Sequence, residues 1–496
     1  LKKDAAIKQN IKAFETEIEK KIINIQKNII QLLAFILISG CASQKAIEAD
    51  SIISEQIPNQ WESDLPVQLK VSEIWWNEFQ DENLNQFLSV FLEENINLEQ
   101  AMLNTRIAKQ GAVLSTANLA PSVAIAASGT ESEQNTAGFP PIFTSFFGNN
   151  DEITTFTQEN YSLSLKAQWE IDLWGKLRQG RLAGKRQYLS SKYNYTYVQF
   201  SLTAEAAKLY FSIIESKQLV DNAKQKYNNA KIIYDLYSER YKTGIIKSNF
   251  FQQSEMILNN AKSDLDNKTS VLNGLIRQGK VLIREYPDLT LAISDDFPEH
   301  LPSIPTVLPA DIIKRRPDLI ASQYNMLAAE SLNKQAMRSL YPTFSLVGSS
   351  GASSNVQDLL NKDYSVWSAG LNLLAPVFNG GKLIASKKIA KNQKEIAMLQ
   401  FVNDLLNAYK EVESSLQFDN TAYSSLNLVE KNVKIAESIY NTTLNEFYEG
   451  IASAEDVINA NNMLFDTKNI LATTEKIRIE QRINLILSLG GGFAYK

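Results

Sequence analysis

The chain repeats itself at a fixed distance, and that repetition limits what it can fold into. Gly-Lys-Leu at 175–177 returns at 381–383, and Gly244 returns as Gly450, both 206 residues on. At that offset, with no gap, Tyr234 falls on Tyr440, Tyr241 on Phe447, Ile245 on Ile451, Leu258 on Leu464, Lys262 on Lys468 and Leu265 on Leu471. Each copy joins strand-like alternation to a very long helical pattern, a combination that points to a tube rather than a globule.

A supercoiled helical seam needs an apolar residue every 3.5 positions. In the first copy Ala206, Leu209, Ile213, Ser216, Val220, Ala223, Tyr227, Ala230, Tyr234, Tyr237 and Tyr241 step by three and four in alternation. In the second, Val412, Ser415, Asp419, Ala422, Leu426, Val429, Val433, Ala436, Tyr440, Thr443 and Phe447 hold the same places, with Asp419 the strong violation. No proline lies between Gly175 and Tyr286. A helix from about Lys176 to Thr243 is therefore expected, roughly 100 Å long. Gly244 and Gly450 then break the long helices in left-handed turns, and a second helix returns from each.

Before each long helix the period changes to two, the mark of a strand with two different faces. Tyr161, Leu163, Leu165, Ala167, Trp169 and Ile171 point one way, and Ser162, Ser164, Lys166, Gln168 and Glu170 the other. Trp367, Ala369, Leu371 and Leu373 oppose Ser368, Gly370 and Asn372 in a weaker case, and Ser122–Ser128 and Thr343–Val347 are weaker still. A half-buried strand in a soluble sheet explains any one of them as well. Lipid outside and water inside explains the charged face of Tyr161–Ile171, because outer-membrane strands alternate apolar-out and polar-in. Four strands cannot close a barrel, and an open edge cannot sit in lipid, so several chains must share one barrel under cyclic symmetry.

Net charge, −5 over 496 residues, gives no basic field for nucleic acid. The body of the chain has no apolar run of about twenty residues, so no transmembrane helix is expected there. The one apolar block, Ile29–Gly40, follows Lys20, Lys21 and Lys27 and fits a secretory signal. It ends in Ile38-Ser39-Gly40-Cys41, and Cys41 is the only cysteine. This resembles a bacterial lipobox, which implies cleavage before Cys41 and lipid on its sulfur and new amino group. A buried free thiol is the plainer reading. The expected organisation is a removed signal peptide over 1–40 and one domain over 41–496. That domain comprises a first repeat at about 71–285, a Pro-rich connector at 286–317 and a second repeat at about 318–490. Within it, Leu84–Ala117 reads as one amphipathic segment, 129–160 and 349–363 as exposed hairpin loops, and the last helix ends near Leu489.

Three motifs carry a family resemblance: WWNEFQDENL at 75–84, EIDLWGKLR at 170–178 and LPADIIKRRPDL at 308–319. The chain resembles TolC-type outer-membrane efflux proteins, of the lipoprotein branch that serves resistance-nodulation-division pumps. The resemblance covers essentially all of 41–493. It implies a mainly α fold with a β-barrel portion: a homotrimer whose twelve strands form an outer-membrane barrel and whose twelve helices form a periplasmic tunnel. It implies a periplasmic adaptor and an inner-membrane pump as partners, and no cofactor beyond the lipid on Cys41. In that family the periplasmic mouth narrows at aspartates six and nine residues after the second turn glycine. Those positions here are Asp456 and Asn459, next to Glu455, so one acidic ring survives and the other is an amide. A solvated helix start is the plainer reading of Asp456.

The two turns differ in charge. Arg240, Lys242 and Lys247 surround the first; Glu446, Glu449, Glu455 and Asp456 surround the second. They are placed to pair across copies or chains, or merely to keep the tips soluble. Lys166 and Glu170, inside the barrel on this reading, are expected to pair along their strand. An enzyme fares badly: the only histidine, His300, lies in the connector, and no metal cluster, phosphate-binding loop or nucleophile elbow appears. A coiled-coil adhesive lipoprotein would not need the two-faced strands. A duct for protein secretion by another transporter class shares the channel but not the RRPDL motif.

Overall fold

The computed structural model describes residues 61–62, 74–135, 155–304, 309–354 and 362–491. Every described residue belongs to one compact unit, Pro58–Lys496. The signal segment, Cys41, residues 136–154 of the expected first hairpin loop and part of the connector lie outside the described residues.

The repeat governs the helices to the residue. Helix α3 (Lys176–Lys242) and its return α4 (Ser248–Leu282) have 67 and 35 residues, as do α6 (Lys382–Tyr448) and α7 (Ala454–Ser488). Every boundary in the second hairpin lies 206 residues after its counterpart in the first. The 67-residue helices run about 100 Å. Helices α2 (Ile96–Ala117) and α5 (Pro317–Arg338), 22 residues each, precede the strands and lie 221 apart. The difference arises between the strands, where the second copy has the shorter connection.

Strands β1 (Ser122–Asn135), β2 (Thr155–Ile171), β3 (Thr343–Ser354) and β4 (Ser365–Leu374) form one antiparallel sheet in that order. β1 and β3 run well past the segments expected from alternation. Their extra residues are mostly Gly, Ser, Thr, Glu and Gln, which carry no apolar alternation, and pairing with β2 holds them in the ladder. The segment expected to be amphipathic, Leu84–Ala117, consists of two helices, α1 (Glu82–Glu94) and α2. Asn95 breaks it with an extended ψ of 123°, and its side chain caps α2 by accepting from Asn97 N and Leu98 N at 3.0 and 3.1 Å.

The main core sits midway along α3. Trp75 and Phe79 from a short 3-10 turn and Leu84, Phe87, Leu88 and Phe91 of α1 bury against Phe200, Tyr210, Phe211 and Ile214, joined by Ile479, Ile483 and Ile486 near the end of α7. The connector is pinned there: Tyr210 Oη donates to Asp81 Oδ2 at 2.9 Å, and Ser294 Oγ donates to Asp81 Oδ1 at 2.9 Å. The RRPDL motif has its own structural reason. Arg316 is buried, forks onto Asp318 at 2.7 and 3.1 Å, pairs with Glu411 of α6 at 2.7 Å and donates to the Ser488 carbonyl at the end of α7. One guanidinium thus ties the connector to three helices, using the fork geometry that lysine lacks.

The violation of the heptad seam is resolved in the same way. Asp419 is buried, and Arg482 of α7 grips it through Nε and Nη2 at 2.9 and 3.0 Å while its Nη1 donates to the Pro302 carbonyl. The remaining seam positions are buried or half-buried along both hairpins except Tyr241, at the exposed tip.

Candidate functional site

Two regions carry the sequence-derived functional residues: the sheet and the hairpin tips. Register puts the sheet's side chains on two unlike faces. Ile125, Leu165 and Ser350 share one face with Leu163, Trp169, Leu346, Leu371 and Leu373, all apolar except Ser350. Ser162, Ser164, Lys166, Gln168 and Glu170 share the other with Ser128, Ser345, Ser349, Ser368 and Asn372. On the polar face hydroxyls pair across strands, Ser128 with Ser162 and Ser349 with Ser368, each at 2.8 Å. Leu165, Leu371 and Leu373 are exposed within the chain, so the apolar face has no covering layer of its own.

The expected pairing of Lys166 with Glu170 does not form. Glu170 instead pairs with Lys176 at 2.6 Å, at the start of α3. The reason is local: the strand ends at Ile171, and the EIDLWGKLR junction turns the helix start back over it. Gly175 takes the N-cap of α3 without a side chain, and Asp172 substitutes by accepting from Leu177 N at 3.1 Å and Arg178 N at 2.8 Å. Trp174 Nε1 donates to the Pro342 carbonyl at 2.7 Å, which fixes the junction against the second copy.

At the tips Gly244 and Gly450 have φ of 70° and 81°, the left-handed conformation that glycine adopts without steric cost. Arg240, Lys242, Lys247, Glu446, Glu449 and Glu455 make no ion pair with one another among the described residues, so the opposite charges do not meet within one chain. Asp456 has a local role: it forms a capping box with Ser453, accepting from Ser453 N at 2.8 Å and Ser453 Oγ at 2.6 Å, while Asp456 N donates to Ser453 Oγ at 3.2 Å. The hydroxyl and then the amide of Ser453 hold the Asp456 carboxyl below the usual aspartate value. Glu455, Asp456 and Asn459 are exposed on one face of α7, while Ala454, Val457, Ile458 and Ala460 are buried on the other. The structure therefore groups the three residues expected at the mouth and turns them away from the chain's own packing.

Sequence reasoning missed the polar ladder that joins the two hairpins. From the core toward the tips, Glu215 bonds Lys476 and Thr473, Asn222 bonds Asn469, Lys226 bonds Asp466 and Asn229 bonds Asn461. The α3 members step by seven, four and three, a second stripe beside the apolar seam, which was legible as a period but not as a pairing. Among the described residues no group of three or more His, Cys, Asp or Glu side chains is placed to hold a metal, and no helix is long and apolar enough to cross a membrane.

The family model for outer membrane efflux proteins matches residues 87–271 and 308–491, two matches whose starts lie 221 residues apart, one per copy. The pyoverdine export outer membrane protein OpmQ of Pseudomonas aeruginosa is 24% identical over 477 residues, covering 94% of this chain and 97% of that protein. The cation efflux system protein CusC of Escherichia coli O6:H1 is 23% identical over 422 residues, 84% of this chain and 88% of its own. In structure, the CmeC outer membrane channel of Campylobacter jejuni superposes with a TM-score of 0.80 at 21% identity, over 88% of this chain and 91% of that one.

Proposed function

The chain belongs to the outer membrane efflux protein family, and from that premise we propose that it is the exit duct of a tripartite efflux system. Three copies form one channel, with a twelve-stranded barrel in the outer membrane and a twelve-helix tunnel in the periplasm. An inner-membrane pump of the resistance-nodulation-division class delivers small molecules through a periplasmic adaptor, and Cys41 anchors each copy by lipid. The channel is passive; no residue in it does chemistry on its cargo.

The single observation that carries this reading is the four-stranded sheet with unlike faces and two open edges, running into paired 67-residue helices. The apolar face of Tyr161–Ile171 extends about 33 Å, or roughly 25 Å once tilted like a barrel strand, the height of an outer-membrane apolar band. The paired faces then fit lipid on one side and water on the other, and the open edges can persist in lipid only if other copies pair with them. Lys166, Gln168 and the serines of the polar face would line the lumen.

At the mouth, Asp456 and Glu455 present carboxylates and Asn459 an amide, and Arg240, Lys242, Lys247, Glu446 and Glu449 are left to meet neighbouring copies. Each exposed pair contributes only about 0–1 kcal/mol, so the closed state is marginal and an adaptor or pump can shift it. In planar bilayers the purified protein should show small, rare openings, and Glu449→Lys combined with Asp456→Lys should raise single-channel conductance severalfold. A protein that never conducts, in either form, would overturn the duct. Conductance that is unchanged by the double substitution would overturn the charge-held mouth alone.

A further inference from the structure

Register sorts the charges of the sheet as well as its apolar residues. On the face that carries Lys166, no residue of β1, β3 or β4 is charged, and β2 adds only Glu170. The other carboxylates of the four strands, Glu131, Glu133 and Glu159, belong to the opposite face, where Glu131 stands directly across from Glu159. Glu170 is already met by Lys176 at 2.6 Å, at the helix junction. One net charge therefore remains on the polar face of each chain.

Lys166 stands at the midpoint of Tyr161–Ile171 and is exposed. Its Cα partners across the strands are Ala124 and Ser349, and Ser164 and Gln168 flank it along β2 on the same face. None of these can neutralise an ammonium, and among the described residues no carboxylate lies within ion-pair distance of it. Duplication did not copy the charge, because the residue 206 positions on is Asn372. The hydroxyls and amides around it both donate and accept, so they solvate either sign of ion and leave the choice to the lysine.

We infer that Lys166 is a specificity-determining residue of the duct: one ammonium per copy makes a ring halfway up the barrel that favours anions, opposite in sign to the carboxylates of Glu455 and Asp456. The inference rests on the shared-barrel reading above and adds to it the residue that sets ion preference in the outer half. Twelve strands spaced about 4.8 Å and tilted about 40° close at a radius of roughly 12 Å. The four-carbon stem of lysine carries its ammonium about halfway to the axis. An ion on the axis is then roughly 6 Å from each ammonium, inside the Debye length of about 10 Å at 0.1 M salt and outside that of about 3 Å at 1 M. Lipid around the barrel focuses the same field into the lumen. With an acidic mouth and a basic barrel in series, a solute that carries both signs, or neither, passes both rings without net penalty, and a small bare ion of either sign does not.

Reversal potentials in planar bilayers under a KCl gradient test it. The full-length protein carries Glu455→Gln with Asp456→Asn, so that the mouth is neutral and the barrel sets the reading. In that background the channel should prefer chloride over potassium about fivefold near 0.1 M salt and lose the preference near 1 M. Lys166→Gln should abolish the preference, Lys166→Glu should invert it and Lys166→Arg should keep it. Ser349→Glu sets a carboxylate on the Cα partner of Lys166 and should cancel the preference with the lysine intact. Should Lys166→Glu fail to assemble, Lys166→Gln and Ser349→Glu read the same charge. A lysine that served only the fold would shift the melting temperature in these variants and leave the permeability ratio alone. Channels that conduct with the same ratio before and after Lys166→Gln overturn the inference and leave the duct standing. A protein that conducts in no variant overturns the duct, and the ring with it.

Discussion

At the tip of the first hairpin Gly244 N and Ile245 N donate to the Tyr241 and Arg240 carbonyls at 3.0 and 2.8 Å; at the second, Gly450 N and Ile451 N donate to those of Phe447 and Glu446 at 3.1 and 2.8 Å. The backbone is the same turn made twice, yet the side chains that hold it differ. The first tip is clasped by aromatics, with Phe251 stacked on Tyr241 at 5.2 Å and tilted on Tyr234 at 5.6 Å, and its returning helix has Lys247 at the N-cap with no capping bond. The second has Val457 in place of Phe251 and a Ser453–Asp456 capping box instead. The helix dipoles follow suit: Arg240 and Lys242 suit the end of α3, and Glu455 and Asp456 suit the start of α7, while Lys247 and Glu449 oppose theirs. The seams diverge similarly, since Asp419 and Arg482 stand where the first copy has Ile213 and Ile276. Duplication conserved the geometry and left each copy free to find its own means of holding it.

The seam offers the largest way to break this comparison. Arg482→Ala leaves a buried carboxylate without its partner and should cost about 3–5 kcal/mol, whereas Asp419→Ile with Arg482→Ile, the first copy's pair, should be near neutral or stabilising. Thermal melts of the purified protein decide it; equal losses in the single and double variants would show that the fork itself is required. Next, Ser453→Ala should cost about 1 kcal/mol and increase amide exchange in the first turn of α7. Because the Asp456 carboxyl is held below its ordinary value, its contribution is present above the unfolded carboxylate range and lost as pH falls through the folded value. Titration of Asp456 should therefore move up in Ser453→Ala, and an unmoved titration would remove Ser453 as the cause.

The converse exchange sharpens the comparison with a smaller effect. Lys247→Ser with Phe250→Asp gives the first tip the second tip's capping box and should slow exchange at the start of α4, a gain of roughly 0.5–1 kcal/mol. The smallest effect is a pH slope. Glu475 of α7 is pushed up to about 7 by burial first and by Glu430 and Asp296 next, where the first copy has the neutral Thr269. The folded chain then holds a proton that the unfolded chain releases, so this stabilisation is full below the ordinary glutamate range and lost as pH rises through about 7. Glu475→Gln should flatten the decline in melting temperature between the ordinary glutamate value of 4.5 and about 7; an unchanged slope would place that decline elsewhere.

Much of this was legible from residue spacing. The helix over 176–243 ends one residue earlier, at Lys242, and the returning helix ends at Ser488 instead of Leu489. Alternation in Tyr161–Ile171 marked both faces of β2 correctly, because residues on a strand differ in surroundings at every step. The polar ends of β1 and β3 were not legible, since Ser, Gly and Thr take whatever register a neighbour imposes. The break at Asn95 had a signal, a strong N-cap residue before Ile96, that the surrounding apolar period masked. Arg482 had one as well: Asp419 lies 31 residues before Gly450 and Arg482 lies 32 after it, so folding the hairpin about its glycine superimposes them. Lys176 as the partner of Glu170 had none, for it depends on the angle at which the strand hands over to the helix.

What the sequence determined alone was periodic: two copies, their spacing, long seams and a two-faced strand, all of which follow from backbone repeat lengths that every residue obeys. Which groups bond across those elements was decided by the tertiary structure. The Arg316 cluster, the ladder from Glu215 to Asn461 and the Asp419–Arg482 fork depend on distances between segments far apart in the chain. Those distances are fixed only when the helices pack, because a side chain's partner is chosen by geometry and charge in space and leaves no period behind.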